Sequence, residues 1–164
     1  MPESITIRAA TPADAAAFLA LVDGLADYER LPRPDGEARA RLAADALGES
    51  PRFKLLLAEV DGAVVGYAAT FPTYSTFLAL PGLYLEDLFV LPEARDKGAG
   101  IALFRACAAE ALRQGCGRME WSVLAWNRPS IDFYERKGAR QLSDWLPFRL
   151  DGDALASVAA QAAD

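Results

Sequence analysis

Residues 83–101 read LYLEDLFVLPEARDKGAGI. The run 83–90 is apolar at most positions and stops before Pro92, which predicts a strand; Arg95-Asp96-Lys97-Gly98-Ala99-Gly100 then opens a helix predicted to reach about Gln114. A strand, a glycine-rich turn and a helix in that order leave backbone N–H groups unpaired at the helix N-terminus. Those amides and the positive end of the helix dipole attract an anion, and Gly98 and Gly100 let it approach the backbone with no Cβ in the way. Arg95 and Lys97 add positive charge. The same GxG also reads as a tight connection, and it is neither a GxxxxGK phosphate loop nor a complete GxGxxG dinucleotide fingerprint.

Outward from this stretch the chain alternates strands and helices. Ile5-Thr6-Ile7 alternates as a strand, and Thr11-Pro12-Ala13-Asp14 supplies an N-cap, a proline in the first turn and an acid three residues on. Phe18, Leu21, Val22 and Leu25 then repeat at helical spacing until Leu31-Pro32-Arg33-Pro34 breaks the pattern. A second helix is predicted over Gly36–Leu47. Residues 53–60 and 63–70 read as antiparallel strands joined by Asp61-Gly62, a strong hairpin signal. In the helix after Gly100, Leu103, Phe104, Cys107, Ala108, Ala111 and Leu112 form an apolar stripe opposite Arg105, Glu110 and Arg113. A strand over 119–124, a short helix from Pro129 to Gly138, a hairpin over 140–150 and an alanine-rich tail from Gly152, either helical or frayed, complete the reading. No repeat or linker interrupts it, so a single domain over residues 1–164 is expected.

Composition narrows the chemistry. The 164 residues carry 17 basic and 23 acidic side chains, a net charge of -6, which disfavours nucleic-acid or anionic-membrane partners and suits a cationic substrate. With no histidine, the chain can build neither a Ser-His-Asp triad nor a Cys-His couple, and it lacks the commonest zinc ligand. Cys107 and Cys116 have no metal-ligand or disulfide-framework spacing, so no metal is expected. Cys107 reads as core, and Cys116 sits in a Gly-Cys-Gly turn with no base to activate it. The start shows no basic and apolar targeting pattern, and no run approaches membrane-spanning length; a reducing cytoplasm is the expected compartment.

A second block, residues 126–139, reads WNRPSIDFYERKGA. Together the two blocks resemble the GNAT N-acetyltransferase superfamily, through an RxxGxG loop at Arg95, Gly98 and Gly100 and an N-x-P-S-x-x-F-Y-x-x-x-G-A element beginning at Asn127. With Ala26-Asp27-Tyr28-Glu29 and Leu83-Tyr84-Leu85-Glu86-Asp87, the chain is most similar to the spermidine/spermine N-acetyltransferase group and its diamine- and thialysine-acetylating relatives. The resemblance implies an α/β (α+β) GNAT fold: a twisted, mixed, mostly antiparallel sheet of about seven strands flanked by helices. It also implies acetyl-CoA as donor and a homodimer. On this likeness the backbone of Leu88, Phe89 and Val90 pairs with the pantetheine arm. Asp96, Lys97, Gly98, Ala99, Gly100 and Ile101 hold the pyrophosphate of coenzyme A, and Arg95, Asn127, Arg128, Pro129 and Ser130 also belong to the cofactor site. Tyr134 matches the tyrosine that protonates the departing thiolate, and Tyr28, Glu29, Glu86 and Asp87 face the amine.

The residues themselves bear on these roles. Attack on a thioester requires a neutral amine, so a proton must leave an ammonium group that is mostly charged at neutral pH. Glu86 is the best available base. A glutamate of ordinary pKa, about 4.3, abstracts poorly, so a relay through water or a shifted environment is needed. Consecutive residues of a regular strand point to opposite faces, which puts Leu85, Asp87 and Phe89 together and separates Asp87 from Glu86 unless a bulge intervenes. Asp87 reads equally as a buried hydrogen-bonding residue, and Tyr28-Glu29 equally as an ordinary helix end. Tyr134, read alone, is a core aromatic. Trp121, Trp126 and Trp145 read as core or pocket wall. Residues 140–145 look shorter than in the polyamine enzymes and offer only Asp144 as an acidic contact. Acetylation of a small cationic amine is the leading reading; acetylation of a protein or peptide amine, and a non-catalytic acyl-CoA-binding module, are the alternatives.

Overall fold

The computed structural model describes residues 4–161. They fall into two compact units, one ending at Leu124 and the other starting at Ala125. In the first, β1 (Ile5–Ala9), β2 (Lys54–Val60), β3 (Ala63–Ser75), β4 (Leu80–Val90) and β5 (Arg118–Glu120) lie side by side in sequence order. Neighbours are antiparallel except β4 and β5, which run parallel and are joined by the crossover helix α3 (Ala99–Arg113). Two further helices precede β2, α1 (Ala15–Glu29) and α2 (Gly36–Leu47).

Local chemistry explains most boundaries. Asp61 and Gly62 both take left-handed φ, 50° and 82°, as a two-residue hairpin turn demands. Pro12–Asp14 forms a 3-10 turn that leads into α1. The Asp14 carboxylate accepts from Thr11 N at 2.7 Å and Thr11 Oγ1 at 3.0 Å, and a two-pronged Arg8 pair at 2.8 Å on each prong ties it to β1. Arg8 Nε also reaches Glu59 of β2 at 2.7 Å. Asp35 caps α2 through the amide of Ala38.

The sheet is covered on both faces. On one, Leu103 and Cys107 of α3 pack against Ala58, Ala68, Leu85 and Val90; on the other, Phe18 and Leu21 of α1 pack against Leu57, Tyr67, Ala69 and Phe89. The buried stripe of α3 is Ala99, Leu103, Cys107 and Ala111, a strict four-residue spacing. Leu112, expected on it, is 79% exposed, because one residue beyond Ala111 turns the side chain by about 100°.

The sheet has five strands instead of about seven. The expected strand over 119–124 forms only as Arg118–Glu120, and no hairpin forms over 140–150. A strand needs a partner, and Pro147 lacks the N–H that a ladder would use. Trp126 and Trp145, expected in the core or a pocket wall, are 49% and 75% exposed. The second unit holds α4 (Arg128–Glu135) and α5 (Gly152–Ala160), so the alanine-rich tail is helical; its last three residues lie outside the described residues. Among the described residues no helix is long and apolar enough to cross a membrane.

Arg8 holds the Asp14 carboxyl far below the usual carboxylate range, so this group stabilises the fold above about pH 4 and less as the pH falls. Asp14→Ala is expected to lower the unfolding free energy by about 1–2 kcal/mol at pH 7 through the lost cap. In urea titrations the gap to wild type narrows below pH 4.

Candidate active site

The geometry of the site begins with a register shift. Ala69 of β3 faces Asp87 of β4 while the next residue, Thr70, faces Leu85, which leaves Glu86 as an extra residue on β4. This β-bulge slips the alternation by one. Leu85 therefore packs toward α3, whereas Asp87 and Phe89 turn toward α1, and the expectation that all three share a face fails for Leu85. Glu86 is exposed at the bulge and Asp87 is partly buried beside it.

Asp87 has an unforeseen partner. The Tyr67 hydroxyl, on a side chain with no exposed surface, donates to Asp87 Oδ2 at 3.0 Å. Burial pushes the Asp87 carboxyl up to about 6; the Tyr67 bond opposes this, and the charges of Glu86 and Glu29 add to it. Burial likewise raises Glu29 above its ordinary value, and raises Tyr67 well above the usual phenol range, with Asp87 next in effect. Glu29 arrives from the last turn of α1. That helix lies close to the sheet because Gly24 faces the Phe89 ring, where a Cβ would stand 3.0 Å from Cε1.

Tyr28 belongs to the same corner. The Arg95 guanidinium lies 4.6 Å from the centre of its ring and 5.8 Å from that of Phe89, and Arg95 Nε donates to Val90 O at 3.1 Å. Arg95 thus ties the end of β4 to α1, while the anion-facing positions follow it. A 3-10 turn, Pro92–Lys97, delivers the chain to Gly98, the N-cap of α3, at φ 90°, a left-handed value that glycine adopts without strain. No side chain caps α3, and its first hydrogen bond within the helix, from Ala102 N to Gly98 O, leaves the amides of Ala99, Gly100 and Ile101 ahead of it. A Cβ on Gly100 would meet only Val90 Cγ2, at 3.8 Å. These amides and glycines fit a pyrophosphate.

The edge of β4 is open next to them. Its ladder with β5 covers only Gly82, Leu83 and Tyr84, so among the described residues Leu88, Phe89 and Val90 pair with β3 alone. In the second unit Asn127 is buried and caps α4, its side chain accepting from Ser130 N at 3.3 Å. Pro129 fills the first turn, and Arg128 pairs with Asp132 at 2.8 Å and Glu135 at 3.5 Å. Tyr134 packs edge-on against Phe133 at 5.3 Å. Its carbonyl accepts from the amides of Lys137 and Ala139, and Glu135 O accepts from Gly138 N, the bonding pattern of a Schellman terminus.

Glu86, Asp87, Glu29, Tyr28 and Arg95 thus come together within the first unit, at the open edge of β4. Tyr67 escaped the sequence reading. Its only signal was a lone phenol in the small-residue run Gly66-Tyr67-Ala68-Ala69, where burial obliges the hydroxyl to find a partner.

Residues 18–139 match the acetyltransferase (GNAT) family. The chain belongs to that family and is an acetyltransferase. It is 35% identical over 167 residues to thialysine N-epsilon-acetyltransferase of Sus scrofa, covering 95% of this chain and 98% of that one. L-ornithine N5-acetyltransferase of Arabidopsis thaliana is 44% identical over 98 residues, 60% of this chain and 43% of that protein. An integron cassette protein from the mobile metagenome of V. cholerae shares the fold, with a TM-score of 0.80 at 22% identity over 96% of this chain and 99% of that chain.

Because the Asp87 pKa is raised in the fold, this carboxyl favours the folded state below about pH 4, and that contribution is lost as pH rises through 6. Asp87→Asn is therefore expected to be more stable than wild type at pH 8, by up to about 2 kcal/mol, with a correspondingly higher unfolding temperature, and to show no such gain at pH 4. Calorimetry at the two pH values measures the difference.

Proposed function

We propose that this acetyltransferase moves the acetyl group of acetyl-CoA to the primary amine of a small cationic acceptor: a polyamine, a diamine or a lysine-like amino acid. The observation that carries this reading is the bulge that sets Glu86 beside Asp87 and Glu29 at the open edge of β4. Three carboxylates attract an ammonium group, and the net charge of -6 favours the same ligand. Two similar proteins whose names give an N-epsilon and an N5 acetylation support an acceptor of this kind.

Acetyl-CoA, when bound, supplies an acetyl thioester. The amides of Ala99, Gly100 and Ile101 receive its pyrophosphate at the N-terminus of α3, with Asp96, Lys97 and Gly98 shaping the approach and Arg95 anchoring the loop. The free edge at Leu88, Phe89 and Val90 offers backbone groups to an extended ligand, as to an added strand. Asn127, Arg128, Pro129 and Ser130 contribute the start of α4. Glu86 accepts a proton from the acceptor ammonium, directly or through water, while Asp87, Glu29 and Tyr28 hold the amine. Tyr134 returns a proton to the departing sulfur.

We read both units as one domain, supported by a family match that runs through the boundary at Leu124. A homodimer is supported by the exposed Trp145, Leu146 and Phe148, and a cytoplasmic location by two free cysteines.

Thiol release from acetyl-CoA, measured with spermidine, putrescine, thialysine, lysine and a basic peptide against a no-amine control, tests the reaction. Release is expected with at least one small diamine or amino acid and not without amine. Silence across the panel overturns the acceptor class, and the absence of a melting shift with acetyl-CoA overturns the donor. Tyr134→Phe is expected to lower kcat at least about ten-fold with acetyl-CoA affinity within about two-fold of wild type. Gly98→Val, which forces a β-branched residue to a φ of 90°, should instead weaken acetyl-CoA binding, as titration calorimetry would record.

A further inference from the structure

We propose that Tyr67 is a positioning residue of the acceptor site: its buried hydroxyl holds one oxygen of the Asp87 carboxylate and thereby turns the other toward the ammonium group of the acceptor. The inference rests on the reading that an amine is acetylated here, and it assigns work to a residue of β3 that lies beneath the site.

The geometry is specific. On the sheet, Tyr67 faces Phe89 and Ala69 faces Asp87, so Tyr67 and Asp87 are diagonal neighbours on one face, within reach for a long side chain. The small side chain of Ala69 leaves room for the phenol to lean toward Asp87. Phe18 stands edge-on to the Tyr67 ring at 5.3 Å, and Phe89 lies at 6.5 Å on a tilted plane. The ring is therefore clamped, and its hydroxyl reaches Oδ2 at 3.0 Å. Oδ1 accepts no hydrogen bond among the described residues, yet it is not a buried unsatisfied atom. It therefore keeps contact with solvent.

The charges point the same way. Burial does most to raise the proton affinity of Asp87; from β3 the Tyr67 bond opposes it, while Glu86 of β4 and Glu29 at the end of α1 add to it. Arg95, the nearby cation, is held over Tyr28 and Phe89. Within the first unit the Tyr67 bond favours the ionised form of Asp87 and holds the carboxyl in one orientation. A cationic amine then meets a carboxylate whose angle is already set, which lowers the ordering cost of binding. A phenylalanine would fill the same core volume without that bond, so core packing alone does not require the hydroxyl.

Tyr67→Phe separates the two roles. The expected result is a rise of at least about five-fold in KM for the amine, consistent with losing a hydrogen bond to a charged group. The acid limb of the kcat/KM profile should move to higher pH, because the bond that lowers the Asp87 pKa is gone. Acetyl-CoA affinity should hold. In an Asp87→Asn background the same substitution should change the amine KM by less than about two-fold, the non-additivity expected of a residue that acts through another. A Tyr67→Phe enzyme that melts lower but keeps its amine KM and acid limb overturns the proposal. Should that variant fail to fold, Asp87→Asn alone decides: an unchanged acid limb and amine KM overturn it, and loss of the limb with a raised KM supports it. Wild-type protein that releases no thiol with any amine refutes the acetylation reading and this inference with it; wild-type turnover with unmoved Tyr67→Phe kinetics refutes only the inference.

Discussion

The extra residue at Glu86 is the constraint on which the site depends. A strand has two faces, and its side chains alternate between them without exception until a bulge intervenes. Had β4 run straight past Leu85, Asp87 would have entered the apolar layer under α3, among Ala58, Leu103 and Cys107, where burial penalises an ionised group. The slip sends it to the α1 face instead, next to the phenol of Tyr67. It also leaves Glu86 at the surface beside it. The ladder with β5 ends two residues before the bulge, so the open edge and the carboxylates lie together on one strand.

Two aspartates show how placement sets chemistry. Asp14 is fastened by two prongs of Arg8 and by both polar groups of Thr11, and its carboxyl is held strongly acidic. The Asp87 carboxyl is pushed up to about 6 by burial above all, with two neighbouring carboxylates adding to the rise and one neutral donor opposing it. The first is stabilised by what surrounds it and joins β1 to α1. The second is a burden on the folded state, of the kind that concentrates at functional sites. An incoming cation would supply the charge that the fold withholds from Asp87.

Much of the architecture was legible because it rests on short-range chemistry. Asp61-Gly62 could hardly be other than a hairpin turn, Thr11 and Asp14 announced the start of α1, and Gly98 marked the N-terminus of α3. The bulge was harder to see. Leu85 followed by Leu88 and Val90 is a change of phase, but Phe89 is apolar too and hides it. Tyr67 was hidden for a different reason: its partner lies 20 residues away, and only the β3–β4 register joins them. Over 140–150 the alternation of Leu146, Phe148 and Leu150 resembles a strand, yet a strand exists only with a neighbour to bond, and local sequence does not supply one.

The bulge makes chain length a counted quantity at this point. Between Leu85 and Asp87 the number of residues decides which carboxylates the site holds. Losing Glu86 would restore an unbroken ladder in which Leu85 and Asp87 keep their partners Thr70 and Ala69 and their faces, and only the surface carboxylate would go. Losing Glu86 and Asp87 together would remove both acids and, on an unbroken ladder, turn Leu88, Phe89 and Val90 to the opposite faces. Along this part of β4 a substitution therefore alters one side chain, whereas a change of length alters which acids the site holds or the face of every residue that follows.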